Sequence, residues 1–141
     1  MQSKNIPNEQ YSPIKHSFTM LKKWGSYHGV PSMLYEPVES GEKSQIAVLV
    51  IHSDEDFLAH SAGSGLAKRG YRVLCANTSN RNDPLDEKLL DVDVAVRYLR
   101  QSLGARKVIT LGHSGGATLM SAYQNAAENG VQVFQGPEKL I

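Results

Sequence analysis

The sequence predicts an α/β protein in which a mostly parallel sheet is flanked by helices. Three observations predict it. Strand-like and helix-like segments alternate from residue 46 to residue 130. The first of these strands, Ile46-Ala47-Val48-Leu49-Val50-Ile51, is apolar on both faces, as in a strand covered from both sides. A glycine closes each helical segment in turn, at Gly70, Gly104 and Gly130.

Residues 1–16 are polar, hold two prolines and read as a loose arm; residues 17–141 read as one domain. Residues 18–24 and 30–35 are short mixed runs around a glycine-containing turn, which predicts a hairpin of two half-buried strands with Trp24 and Tyr27 as its packing residues. Pro31 opens the second run, a position suited to an edge strand. After a charged turn at 39–43 comes the buried strand at 46–51, then a helix over 57–69 and a strand over 71–76. A polar loop follows at 77–83, and its Asn77-Thr78-Ser79-Asn80 lies at a strand end, where such residues line pockets or simply form turns.

The next helix has the clearest signals. Asp83 caps it, Pro84 suits its first position, and Asp86 and Glu87 favour the positive end of its dipole. Leu89, Val92, Val96, Leu99 and Leu103 recur at helical spacing and form one apolar stripe. Asp91 and Asp93 fall on the expected solvent side, and Asp93 pairs with Arg97 one turn on. Residues 108–111 read as a third short buried strand. Residues 116–129 read as a helix with Leu119, Tyr123, Ala126 and Ala127 inward. Strands alternating with helices in this way imply right-handed crossovers.

Composition narrows the function classes. The chain has 141 residues, of which 40% are hydrophobic, enough for one domain with a real core. Its 15 basic and 14 acidic residues nearly cancel and are scattered, so no nucleic-acid or membrane surface is expected. The single cysteine, Cys75, cannot form an internal disulfide, and no signal peptide or membrane span is legible. The default expectation is a cytoplasmic protein with a small-molecule substrate, no cofactor and no metal.

The chemistry concentrates at Gly112-His113-Ser114-Gly115-Gly116, between the strand at 108–111 and the helix at 116–129. A G-x-S-x-G run carries meaning in that context. A sharp reversal there strains the serine backbone and requires neighbours without side chains, which Gly112 and Gly116 provide. The turn lifts the Ser114 hydroxyl above the strand ends and puts the Gly115 N–H at a helix N-terminus, where an oxyanion is favoured.

With this motif in this order of elements, the chain resembles the α/β-hydrolase family from about residue 18 to residue 130. The resemblance implies a serine hydrolase of carboxylic esters acting through an acyl-enzyme, with Ser114 as nucleophile. The family's His-Gly pair after its third strand corresponds to His52-Ser53. His52 would support the oxyanion loop, and the second oxyanion N–H would come from Asp54, or from its neighbour Ser53. Serine at the elbow separates the chain from dehalogenase and epoxide-hydrolase relatives, which place aspartate there.

The family's order is serine, acid, histidine, but the five histidines, His16, His28, His52, His60 and His113, all precede or adjoin Ser114. His113 is expected to be packed or hydrogen-bonded, and His28 and His60 to lie on the surface. The expectation is therefore the N-terminal portion of a longer hydrolase, inactive as it stands. Only residues 131–134 are available to cover the last strand, and an uncovered apolar edge invites self-association. A second reading is a non-catalytic relative that binds a ligand or partner on the same scaffold. Nucleotide binding ranks last, because neither phosphate-loop pattern occurs.

Overall fold

In this computed structural model the described residues are 11–23 and 28–129. Among them are five strands, β1 (Ile14–Lys22), β2 (Gly29–Pro37), β3 (Ile46–His52), β4 (Arg72–Asn77) and β5 (Lys107–Leu111). Three helices accompany them, α1 (Ser61–Ala67), α2 (Leu85–Arg97) and α3 (Gly115–Asn129). The strands form one sheet in the order β1-β2-β4-β3-β5. The β4-β3-β5 part is parallel, as the alternation of elements requires. The hairpin adds the two antiparallel ladders, β1 with β2 and β2 with β4.

The hairpin is longer than the sequence pattern suggests. β1 starts at Ile14, so residues 14–16 of the expected arm belong to the sheet. β2 lies between β1 and β4, so Pro31 is not on an edge strand. Pro31 is tolerated in β2 because the ladder with β4 begins only at Ser32, one residue later. Trp24, Tyr27 and residues 131–134 lie outside the described residues, as do residues 1–10.

Two cores form on the two faces. Ala47, Leu49, Ile51, Leu74 and Ala76 pack against Leu89, Val92, Ala95, Val96 and Leu99 of the α2 segment and Leu119, Met120, Tyr123 and Ala126 of α3. Val48, Val50, Val73, Cys75 and Phe57 form the other core under α1. This double coverage explains the unbroken apolar run of β3. Met120, rather than the expected Ala127, completes the inner side of α3, and Ala127 is exposed.

Several local expectations are corrected. α1 begins at Ser61 instead of residue 57, because the preceding residues are engaged elsewhere. Phe57 sits between the rings of His52 and His60, and Leu58 accepts a hydrogen bond from the Tyr35 hydroxyl (2.8 Å). His60 is not a plain surface residue, since its Nδ1 accepts from the Ala62 N–H (3.1 Å) and caps α1. α2 begins after Pro84 without a side-chain cap, so Asp83 does not play that part. β5 is not buried: Ile109 and Leu111 are exposed on its α1-side face.

The largest correction concerns Asp91, which is fully buried rather than on the solvent side. It lies 2.9 Å from Lys23 Nζ, and Lys23 also reaches Glu87 Oε2 at 2.6 Å. Asp93 behaves as expected toward Arg97 (2.7 Å) and also accepts from the Tyr123 hydroxyl (2.9 Å). Burial beside the Asp93 carboxylate pushes the Tyr123 phenol above its usual range.

Candidate active site

β5 ends at Leu111 and α3 begins at Gly115, so the three residues between them must reverse the chain. Ser114 takes the strain, with φ of +55°, and it is the non-glycine residue with positive φ among the described residues. Its neighbours are glycines for steric reasons. A Cβ on Gly112 would lie 2.5 Å from the Gly116 carbonyl oxygen, and one on Gly116 would lie 2.6 Å from the Ile51 carbonyl oxygen. The first turn of α3 folding back over the elbow thus excludes a side chain at Gly112, and its packing onto the end of β3 excludes one at Gly116. The first turn of α3 then forms as Ala117 N–H donates to the Ser114 carbonyl (3.0 Å). The Ser114 side chain is exposed, and among the described residues no side chain accepts from its hydroxyl.

The loop after β3 meets this elbow. His52 is buried, and its Nδ1 accepts from the N–H groups of Asp54 and Glu55, both at 3.2 Å. Asp54 Oδ1 lies 2.9 Å from the same nitrogen. Nδ1 is therefore occupied within its own loop. The other edge of the ring faces Gly115, where an added Cβ would be 3.1 Å from His52 Nε2 and 2.7 Å from Ser53 Oγ. His52, Ser53 and Gly115 are thus brought together, and a side chain at 115 would have to displace those of Ser53 and His52.

Ser53 and Gly115 line one cavity of about 290 Å³, together with Leu85, Thr118, Leu119, Asp83 and Lys88. A second cavity of about 360 Å³ is lined by Asp54, Glu55, Asp56 and the 77–81 loop. The expected strand-end residues Asn77 to Asn80 do line it. They also grip the β3–α1 loop, which sequence reasoning missed. Asn77 Oδ1 accepts from Phe57 N–H (2.8 Å), and Thr78 Oγ1 donates to the Ser53 carbonyl (3.2 Å). Asn77 also donates to Asp56 (3.0 Å), and this bond with that from Leu58 N–H lowers the Asp56 carboxyl below its usual value.

His113 and His28 are exposed, so the expected packing of His113 is not found. Among the described residues no cluster of His, Cys, Asp or Glu is arranged to hold a metal ion. No described helix is long and apolar enough to cross a membrane.

No known family profile and no curated protein matches the sequence. Solved structures do. A protein described as a dienelactone hydrolase from Klebsiella pneumoniae matches with a TM-score of 0.65 at 16% identity, over 90% of this chain and 66% of that one. Est1E from Butyrivibrio proteoclasticus matches with a TM-score of 0.62 at 19% identity, over 80% of this chain and 46% of that one. Esterase B from Lactobacillus rhamnosis matches with a TM-score of 0.65 at 18% identity, over 87% of this chain and 43% of that one. The chain has the α/β-hydrolase fold. It spans between 43% and 66% of the length of these hydrolase-fold structures. Within the hydrolase fold, the Ser114 turn is the strand-to-helix elbow after β5, and the loop from His52 to Phe57 is the segment that faces it.

Proposed function

We propose that this chain carries the nucleophile of a hydrolase acting on carboxylic esters. The observation that carries the reading is the strained Ser114 backbone at a glycine-flanked elbow, with φ of +55°. Strain of this kind persists where function retains it. Ser114 Oγ attacks the ester carbonyl, the bond to the alcohol breaks, and the serine proton passes through a base to the leaving alkoxide; water then releases the acid.

The oxyanion donors in this reading are the N–H of Gly115 and that of Ser53. Asp54, the first expectation for the second donor, has its N–H directed to His52 Nδ1. Ser53 lines the cavity beside Gly115 and is therefore preferred. His52 supports the loop. The similar folds of proteins described as esterases favour ester chemistry over the other reactions this scaffold hosts. The substrate is a small molecule, the setting is cytoplasmic, and the edge of β5 that no described strand pairs is where a second copy would pair.

Since no described side chain accepts the Ser114 proton, the chain alone should hydrolyse a chromogenic acetate ester at close to the buffer rate. Rapid turnover that disappears in His52→Ala would reassign His52 as the base. The same lack of a base favours, as second reading, a ligand-binding relative without turnover, which would bind phosphonate esters without forming a bond to Ser114.

A further inference from the structure

A polar chain runs from the hairpin to the loop that faces the elbow. At its start Lys23 and Asp91 are buried together, their side chains 5% and 0% exposed, with Nζ to Oδ1 at 2.9 Å. Burying a carboxylate costs several kcal/mol unless its lone pairs are filled. Asp91 fills them: besides Lys23 it accepts from the Ser79 N–H (2.9 Å) and the Ser79 hydroxyl (3.0 Å). The residue before Ser79 is Thr78, which is buried and donates to the Ser53 carbonyl at 3.2 Å.

The Ser53 carbonyl and the Asp54 N–H belong to one peptide unit. Thr78 holds its oxygen and His52 Nδ1 receives its N–H. Because His52 is itself held in the β3–β4 ladder, fixing the peptide plane that follows Ser53 leaves its two dihedrals little freedom, and so restrains the Ser53 N–H. Asn77 adds a second grip three residues further on, at Phe57. The three consecutive side chains of Asn77, Thr78 and Ser79 thus connect a buried carboxylate to the loop packed on Gly115.

We propose that Asp91, neutralised by Lys23, is a positioning residue for the oxyanion loop, acting through Ser79 and Thr78 on the Ser53–Asp54 peptide. The assignment of that loop to oxyanion binding rests on the function proposed above; the mechanical coupling does not. A carboxylate suits this task because it accepts two bonds from one residue and so fixes both the backbone and the side chain of Ser79. The positioning residue is remote from the reacting atoms and touches no substrate.

The test is amide hydrogen exchange with assigned NMR spectra on the full 141-residue chain. Ser79→Ala removes one bond to Asp91 and leaves the Lys23 pair intact. Thr78→Val removes the bond to Ser53 at nearly constant shape. Both should move the amide resonances of Ser53, Asp54 and Glu55 and speed the exchange of Asp54 and Glu55 by about tenfold, while Val48 and Leu74 keep their protection. Ser79→Thr should restore the wild-type values. Asp91→Asn should reproduce the pattern, and if it fails to fold, the two milder variants decide. Unchanged amides at 53–55 in Ser79→Ala, with only a lower unfolding temperature, would overturn the proposal and leave Asp91 purely structural. Because the readout is an amide and not turnover, loss of the hydrolase reading would leave this result standing.

Discussion

Ser53 Oγ lies 2.7 Å from the point where a side chain on Gly115 would begin. The loop after β3 and the elbow after β5 are therefore in contact, and they come together because β3 and β5 are neighbours in the sheet. Gly115→Ala should push the Ser53 and His52 side chains apart and destabilise the fold by about 1–3 kcal/mol. Gly116→Ala should do more harm, since the obstacle is the Ile51 backbone and not a movable side chain. Urea denaturation of both variants gives the order; equal stability of Gly116→Ala and the parent would show that the elbow is looser than described.

The strain at Ser114 predicts a stability change of unusual sign. Ser114→Gly should raise stability by about 1 kcal/mol, because glycine adopts positive φ without the Cβ penalty. Ser114→Ala should leave stability nearly unchanged, since alanine keeps the Cβ. Thermal unfolding of the two variants measures this directly. A Ser114→Gly variant less stable than the parent would mean that the turn carries no strain.

Much of this site is legible in the sequence. The alternation of elements and the glycines around Ser114 identify the fold and the elbow, because a buried parallel strand and a sharp reversal each demand particular residue types. The Lys23–Asp91 pair is not legible in the same way. Asp91 lies one turn before Ala95, at the margin of the apolar stripe of α2, and a periodic pattern does not show how wide the buried arc is. Its partner is 68 positions away, just past the end of β1, and is placed there only by the tertiary fold. The shortened α1 likewise depends on Tyr35 and Asn77, which reach its leading turn from other strands.

That pair sets an alkaline limit on stability. Burial lowers the Lys23 ammonium, but its hydrogen bonds and attraction to Glu87 and Asp91 outweigh this, and its pKa is raised above 10.5. At Asp91 burial prevails and raises its carboxyl above the usual range, although the Ser79 donors and Lys23 pull it down. The Ser79 N–H, the Ser79 hydroxyl and the Lys23 ammonium are the three donors that favour its ionised form. The Lys23 contribution is then fully present below pH 10.5 and is lost as pH rises through its folded value. Lys23→Met should cost about 3–5 kcal/mol by stranding the buried carboxylate. Denaturation at neutral and alkaline pH checks both; a variant as stable as the parent would mean that water reaches Asp91.

Cys75 offers a simple probe of the second core. It is fully buried, and burial pushes its thiol up to about 12. It should resist thiol reagents in the native chain and react only on unfolding. Rapid native labelling at pH 8 would show that α1 opens readily from the sheet.

The central claim is that Ser114 is the nucleophile, and site-mapped labelling with a fluorophosphonate tests it most directly. Imidazole added at high concentration would serve as a diffusible base for a hydroxyl that has none among the described residues. The account predicts a single phosphonylated residue, Ser114, with a labelling rate that rises with imidazole and no label in a folded Ser114→Ala variant. Label on another serine, or labelling unchanged in Ser114→Ala, would contradict it.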